Sequence, residues 1–198
     1  MERKFILTDK FVINSFGIKL FQIKCTKSFK YAQKGDFGGY VEKEGNLDQE
    51  NDAWVSGNAW VSGDAWVSGD ARVSGNARVF GNARVSGNAR VFGNAWVSGN
   101  ARVSGNARVS GNAWVSGNAD IENDNEHCGF DGFGSCNRHT HAYMTKEKKV
   151  EIICGCFRGS IEEFEKKVEE THSGTVYEKQ YKSIINVIKI KFGLTDFT

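Results

Sequence analysis

The sequence predicts a mainly β protein built around a parallel β-helix, and three observations support this. From Ala53 to Asn118, one six-residue unit, Ala-Trp/Arg-Val-Ser/Phe-Gly-Asn/Asp, is repeated eleven times without interruption. A period this short excludes a helical repeat and fits one short strand followed by one tight turn. The Gly-Asn or Gly-Asp pair supplies the turn, because these residues tolerate left-handed backbone conformations. The chain contains no proline, so every backbone N–H can join a ladder.

The alternation within each hexad predicts which side chains face inward. Ala and Val, two positions apart, share the inner face of a strand, and the residue between them points outward. If three hexads complete one turn, every third outward residue stacks in a column. The predicted first column is Trp54, Arg72, Arg90 and Arg108; the second column is Trp60, Arg78, Trp96 and Trp114; the third column is Trp66, Arg84, Arg102 and Asp120.

The repeat frame predicts three segments. Degenerate hexads at 41–52 and 119–124 extend the solenoid to residues 41–124, because terminal repeats must protect the open ends of the stack. Residues 1–40 contain two short strand patterns and are predicted to form an N-terminal β cap. This leaves residues 125–198 as a separate C-terminal region.

Residues 125–198 are predicted to form a small α+β domain. A strand is predicted over Val150–Phe157. A first helix is predicted over 160–171, since Ser160 begins a capping box. A second helix is predicted over 177–192, where apolar residues recur on one helical face.

Charge and cysteine content indicate the environment of the protein. The chain has a net charge of +2, but its repeats carry six Arg against two Asp and are therefore basic. The five cysteines and the absence of an apolar leader or membrane-length segment predict reduced thiols in the cytoplasm. We expect no cofactor.

Three features together resemble a family of phage and prophage hexapeptide-repeat proteins. They are the lead-in Gly-Asp-Phe-Gly-Gly-Tyr-Val-Glu at 35–42, the hexads, and the tail Cys-Gly-Cys-Phe that begins at Cys154. The resemblance implies a left-handed β-helix of triangular section with three hexads per turn, often packed as a trimer. It also implies a phage context and a bacterial host, but no activity, because fold does not determine function.

An enzymatic reading is an alternative, since hexapeptide acyltransferases share this repeat. Such enzymes use a histidine base on the β-helix beside an inserted loop. The histidines of this chain are His127, His139, His141 and His172, so none lies within the repeats. A general base must reach the proton that it removes, and we therefore expect a protein that is not an enzyme. A self-assembling structural element is a third reading, which folded segments at both ends oppose.

A zinc site is a further alternative near the start of the C-terminal region. Its candidate ligands are His127, Cys128, Cys136, His139 and His141. Their types suit tetrahedral zinc, but their spacing does not match known patterns. Buried cysteines and a histidine-bearing loop explain the same residues, so the sequence leaves metal binding open and no metal ligand is predicted.

The outward positions carry the remaining functional signal. Exposed aromatic patches mark interfaces, and Trp and Arg dominate binding hot spots. The predicted binding residues are Trp54, Trp60, Trp66, Arg72, Arg78, Arg90, Trp96, Arg108 and Trp114. Stacking of Arg on Trp within the columns is the competing, purely structural explanation. We expect a homotrimer, or failing that a dimer, and a host protein partner; six arginines give only weak support for nucleic acid, and no membrane partner is expected.

Overall fold

The computed structural model describes residues 2–194. Met1 and residues 195–198, which belong to the predicted N-terminal and C-terminal segments, lie outside the described residues. The structure is a β-solenoid of about five turns with strands at its N-terminal end and a sheet with two helices at its C-terminal end. The predicted mainly β class with two different terminal additions is confirmed.

The solenoid strands are two residues long and form three parallel sheets. Each strand pairs with the strand eighteen residues further along, so three hexads complete one turn. The strands, β4 to β15 in chain order, are Trp54–Val55, Trp60–Val61, Trp66–Val67, Arg72–Val73, Arg78–Val79, Arg84–Val85, Arg90–Val91, Trp96–Val97, Arg102–Val103, Arg108–Val109, Trp114–Val115 and Asp120–Ile121. The sheets are ordered β4-β7-β10-β13, β5-β8-β11-β14 and β6-β9-β12-β15.

The interior of the solenoid consists of the Ala and Val of every hexad. From Ala53 to Val115 each of these residues is at most 4% exposed, which confirms the predicted inward positions. Main-chain hydrogen bonds between successive turns are regular; the N–H of Arg72 donates to the carbonyl of Ala89 at 2.9 Å, for example. Small and β-branched side chains thus fill a narrow core while the backbone ladder is fully used.

The corners are held by ladders of asparagine side chains. At one corner the amide of Asn58 donates to Asn76, Asn76 to Asn94, and Asn94 to Asn112, each across 3.2–3.3 Å. The amide of Asn112 donates in turn to a carboxylate oxygen of Asp131. The side chains on consecutive turns therefore satisfy each other, and the ladder ends on an acceptor from the C-terminal region.

The N-terminal strands continue one of the solenoid sheets. Strands β1 (Phe5–Ile13), β2 (Lys19–Cys25) and β3 (Phe37–Val41) form an antiparallel meander, and β3 pairs in parallel with β5 of the solenoid. The sheet that carries the second column thereby becomes seven-stranded. The predicted segment boundary at residue 40 falls inside β3. A 3₁₀ turn over Glu44–Asn46 leads into the first full turn.

The C-terminal region packs a four-stranded antiparallel sheet against two helices. A 3₁₀ turn over Asp124–Glu126 precedes it. The sheet contains β16 to β19 in chain order, and its elements are β16 (His127–Phe133), β17 (Arg138–Met144), β18 (Val150–Cys154), β19 (Phe157–Gly159), α1 (Ile161–His172) and α2 (Val176–Lys191). Both helices lie within one residue of their predicted starts and ends, and Ser160 and Glu163 form the predicted capping box.

The single strand predicted over Val150–Phe157 is wrong. The chain turns at Gly155, whose φ is +59°, so that β18 and β19 form a hairpin. As a result Cys154 is buried and Cys156 is exposed. Among the helices of residues 2–194, none is long and apolar enough to cross a membrane.

Candidate interaction surfaces

The three predicted columns of outward side chains exist in the structure. In the first column, Trp54 pairs with Arg72, Arg72 with Arg90, and Arg90 with Arg108. The second and third columns have the predicted register as well. Because successive strands in a sheet lie about 4.8 Å apart, each column spans about 14 Å.

The first column is covered at its N-terminal end, which corrects the expectation that all five tryptophans are exposed. Trp54 is only 5% exposed and packs edge-to-face against Phe29 at 5.4 Å. Arg72 lies 4.8 Å from the ring of Tyr31 and is half-buried. Both aromatic partners belong to the loop between β2 and β3. Trp54 therefore cannot serve as a surface contact, and Arg90 and Arg108 are the exposed members of this column.

The second column forms a continuous aromatic and cationic stack. The guanidinium of Arg78 lies between two indoles, 4.5 Å from the ring of Trp60 and 4.9 Å from that of Trp96. Trp96 then meets Trp114 edge-to-face at 5.9 Å, and Phe80 contacts Trp96 from the side at the same distance. Since Arg78 is held by both neighbours, the column presents one ordered surface rather than four independent side chains.

The N-terminal end of the second column is bounded by the tip of the β1–β2 hairpin. Residues Asn14–Ile18 stand over Trp60, Phe80 and Trp96 and enclose a largely apolar pocket of about 130 Å³. Phe16, at the tip, is 78% exposed. The sequence showed no signal for this contact, because the hairpin reaches the column only through the sheet that the two segments share.

The C-terminal end of the second column is bounded by the C-terminal sheet. Trp114 is 41% exposed and lines a pocket of about 210 Å³ with Arg138, His139, Ile153 and Gly155. Two other parts of the chain, the hairpin tip and the C-terminal sheet, thus adjoin the second column and form pockets with it.

The third column is more polar than the second. Trp66 is 42% exposed, and Arg84, Arg102 and Asp120 follow it beside a shallow pocket of about 300 Å³ that also includes Glu122. Within residues 2–194, none of the six arginines of the repeats forms an ion pair with a carboxylate. The basic charge of the solenoid therefore remains available to solvent or to an anionic partner.

Three histidines that were candidate zinc ligands meet at the C-terminal end of the solenoid. Nδ1–H of His141 donates to the main-chain carbonyl of Trp114 at 3.1 Å, which leaves its Nε2 to accept from Nδ1 of His127 at 3.1 Å. Nδ1–H of His139 donates to Asp131 at 2.8 Å. Burial, together with the neighbouring histidines, lowers the pKa of His141 to about 3. The same desolvation lowers the pKa of His127.

The candidate cysteines do not join the three histidines. Cys136 is exposed near Ser135, and Cys128 packs toward the helices, where burial raises its pKa to about 11. In the described part of the chain, no three His, Cys, Asp or Glu side chains are arranged to hold a metal ion. The geometry instead assigns the histidines to the junction between the solenoid and the C-terminal sheet.

Comparison with known families bears on the solenoid alone. A family model described as YdcK beta solenoid repeat matches residues 53–69, 71–85, 83–99 and 101–117. A search of curated proteins found no match. The matched residues contain the hexads and neither terminal region, so the repeats of this chain are similar to YdcK beta-solenoid repeats.

Proposed function

We propose that this protein is a non-enzymatic binding protein and that the second column, Trp60, Arg78, Trp96 and Trp114, is its principal contact surface. The observation that carries the proposal is the ordered stack of three indoles and one guanidinium on a rigid sheet. Little conformational entropy is lost when a partner binds side chains that are already held in place. Large aromatic residues and arginine are also the residues that contribute most to binding energy at interfaces.

The pockets beside the second column favour a protruding segment of a partner protein over a flat surface. The hairpin tip at one end and the C-terminal sheet at the other rise beside the column. The apolar pocket of about 130 Å³ beneath the hairpin tip is close in volume to an engineered cavity of about 150 Å³ that binds benzene. It therefore fits one aromatic or branched aliphatic side chain of the partner.

The biological partner that we propose is a molecule of a bacterial host. This step rests on the resemblance to phage hexapeptide-repeat proteins and not on the residues of the column. In that setting the protein is an accessory factor or scaffold that engages a host protein, and blunting a host defence system is the use that fits it best.

Self-association is a second candidate that separate residues favour. Trp66 and Phe92 are 42% and 38% exposed and lie outside the second column. Packing between protomers along these sides would bury them, which supports the expected homotrimer, or failing that a dimer. The second column would then remain free for the partner.

An acyltransferase activity has less support. The expected histidine base is missing from residues 53–118. Of the three histidines near the end of the solenoid, His141 is only 1% exposed and its two nitrogens are both hydrogen-bonded. A base in that position is poorly placed to reach a substrate.

The proposal is tested by replacing residues of the column and measuring binding to a partner recovered from the bacterial host. Trp114→Ser removes an exposed indole whose one aromatic contact is Trp96, and Trp96→Ser removes the centre of the stack. We expect each change to weaken affinity by about 2 kcal/mol, the scale of an aromatic hot spot. Arg90→Ser, an exposed residue of the first column, is the matched control and should alter mainly the salt dependence.

Light scattering on the same variants separates partner binding from self-association. A mass that stays constant while partner affinity falls supports a partner surface. If Trp96→Ser and Trp114→Ser lower the melting temperature but leave both the mass and every host interaction unchanged, the column is structural and the proposal fails.

A further inference from the structure

A large cavity lies in the C-terminal region and contains none of the outward residues of the solenoid columns. It has a volume of about 520 Å³ and opens between the β16–β17 turn, the β18–β19 turn and the two helices. This volume is within the range of small-molecule sites, about 300–1,000 Å³. No residue of the proposed contact surface lines it.

Aromatic side chains form the inner wall of this cavity. Phe164 and Tyr181 are buried at 3% and 5% exposure and meet edge-to-face at 5.5 Å. Phe157 packs against Phe164 at 5.0 Å, and the ring of His172 stacks on Tyr181 at 5.5 Å with 27° between the planes. The wall therefore consists of rings that hold one another in place, and the half-buried rings of Phe157 and His172 are its accessible members.

Cationic side chains form the rim. Arg138, Arg158 and Lys167 line the cavity, and no Asp or Glu among residues 2–194 does so. Arg158 is held by Glu151 at 2.7 Å and Lys167 by Glu170 at 3.3 Å. Arg138 has no ion pair within the same residues, so its guanidinium is the cation left for a ligand.

The guanidinium of Arg138 lies beside the β18–β19 turn. A Cβ atom placed on Gly155 would come within 2.4 Å of Nη1 of Arg138, so the guanidinium lies directly across this glycine. An arginine positioned in this way offers its remaining N–H groups in the planar arrangement that pairs with phosphate or carboxylate.

From these observations we infer that the cavity binds a small aromatic phosphate of the nucleoside monophosphate class. The ring of the ligand packs on Phe157, the half-buried phenylalanine of the wall, and its phosphate pairs with Arg138. Pairing with a charged group in a partly enclosed site gives the anion its selectivity over the neutral nucleoside. This inference uses none of the four residues of the proposed contact surface, and Arg138 is shared with the pocket beside Trp114.

Two exposed cysteines on the rim provide a local reporter. Cys136 and Cys156 are exposed and line the cavity, whereas Cys25 and Cys154 are buried. Alkylation of Cys136 and Cys156 should be slowed by a ligand in the cavity. The rate can be followed for each peptide by mass spectrometry.

The experiment titrates the full chain with adenosine 5′-monophosphate, adenosine and inorganic phosphate by calorimetry, with alkylation measured in parallel. We expect binding of the monophosphate below about 1 mM, weaker binding of adenosine and of phosphate, and protection of Cys136 and Cys156. Arg138→Gln should weaken binding about ten-fold or more. Arg90→Gln, an exposed arginine of the solenoid without an ion pair, should leave it unchanged.

The inference is overturned by any of three results. These are no binding of the monophosphate at about 1 mM, binding that Arg138→Gln and Arg90→Gln affect equally, and binding without protection of the two cysteines. Circular dichroism of Arg138→Gln confirms that the exposed substitution leaves the fold intact. Since the second column contributes no residue to the cavity, a failure here leaves the proposed partner surface untouched.

Discussion

The interior of the solenoid and the junction at its C-terminal end differ in what they bury. The interior holds Ala and Val on every turn, with no ionisable side chain between Ala53 and Val115. The junction holds His141 at 1% exposure and Thr140 and Tyr143 at 0%. The stability of the interior therefore depends on the packing of small side chains and on backbone hydrogen bonds. The stability of the junction also depends on polar groups that must keep their protonation states.

This difference follows from the position of each region in the stack. A turn inside the solenoid finds its hydrogen-bond partners in the turns on either side. The last turn has no such neighbour, and side chains of β16 and β17 take over part of that role. His141 satisfies the carbonyl of Trp114, and Asp131 accepts from the end of the Asn112 ladder. Polar residues thus satisfy hydrogen-bonding groups of the last turn, which has no following repeat to pair with.

The largest effect is expected from a charge placed in the interior. Val85 is fully buried, and Val85→Asp would enclose a carboxylate without a partner. We expect the free energy of unfolding to fall by about 4 kcal/mol or more, measured by chemical denaturation. The neighbouring outward change Arg84→Ser should have almost no effect, because Arg84 is exposed and unpaired within residues 2–194. Equal stability of Val85→Asp and the parent protein would contradict the assignment of Val85 to the interior.

A smaller effect is expected from acid, and it should arise at the junction. The pKa of His141 is about 3 in the folded protein, against an ordinary value of 6.5. Below pH 6.5 the unfolded chain therefore binds a proton that the folded chain does not, and the free energy of unfolding falls as the pH falls. The effect is absent above pH 6.5 and grows down to about pH 3.

The junction is tested by thermal unfolding between pH 6.5 and about 4.5, a window that lies above the ordinary pKa values of carboxylates. We expect the melting temperature of the parent protein to decline across this window and that of His141→Gln to decline less. Arg84→Ser, a change at an exposed residue of the solenoid, is the control and should keep the slope of the parent. The same slope in all three proteins would show that His141 does not control the acid response.

The sequence was sufficient to predict the columns because the repeat has no insertion. Once three hexads make a turn, the register of Trp60, Arg78, Trp96 and Trp114 follows by counting, and the observed pairing agrees. The two helices were predictable for a similar reason, since their capping residues and apolar faces are local features. Local rules and strict periodicity, together with the three hexads per turn that the resemblance implies, therefore account for most of the fold.

Features that depend on distant parts of the chain were not predictable. Trp54 is covered by Phe29, which is separated from it by a strand and a loop. The framing of the second column by residues Asn14–Ile18 arises in the same way. The Asp residues that replace Asn in two early hexads also have distant partners: Asp64 pairs with Lys43 at 2.7 Å and Asp70 with Lys30 at 3.1 Å. Each of these contacts needs the folded N-terminal segment.

The smallest effect is expected at two equivalent corner glycines, one inside the stack of turns and one at its end. Gly93 and Gly111 occupy equivalent corners on consecutive turns, with φ of +72° and +64°. A Cβ on Gly93 would lie 3.0 Å from the backbone nitrogen of Gly111, whereas a Cβ on Gly111 meets nothing within 4 Å. The N–H of Asn94 donates to the carbonyl of Gly111 at 2.8 Å, which opposes separation of the two turns.

Gly111→Ala should therefore cost only the backbone strain of a left-handed alanine, about 1 kcal/mol. Gly93→Ala adds a steric conflict with the next turn and should cost about 1 kcal/mol more. Chemical denaturation of the two variants measures the difference directly, because the change in side chain is the same in both. Equal decreases in the free energy of unfolding would indicate that the interior turns move apart to accept the added methyl group. That result would contradict the view that the interior is closely packed.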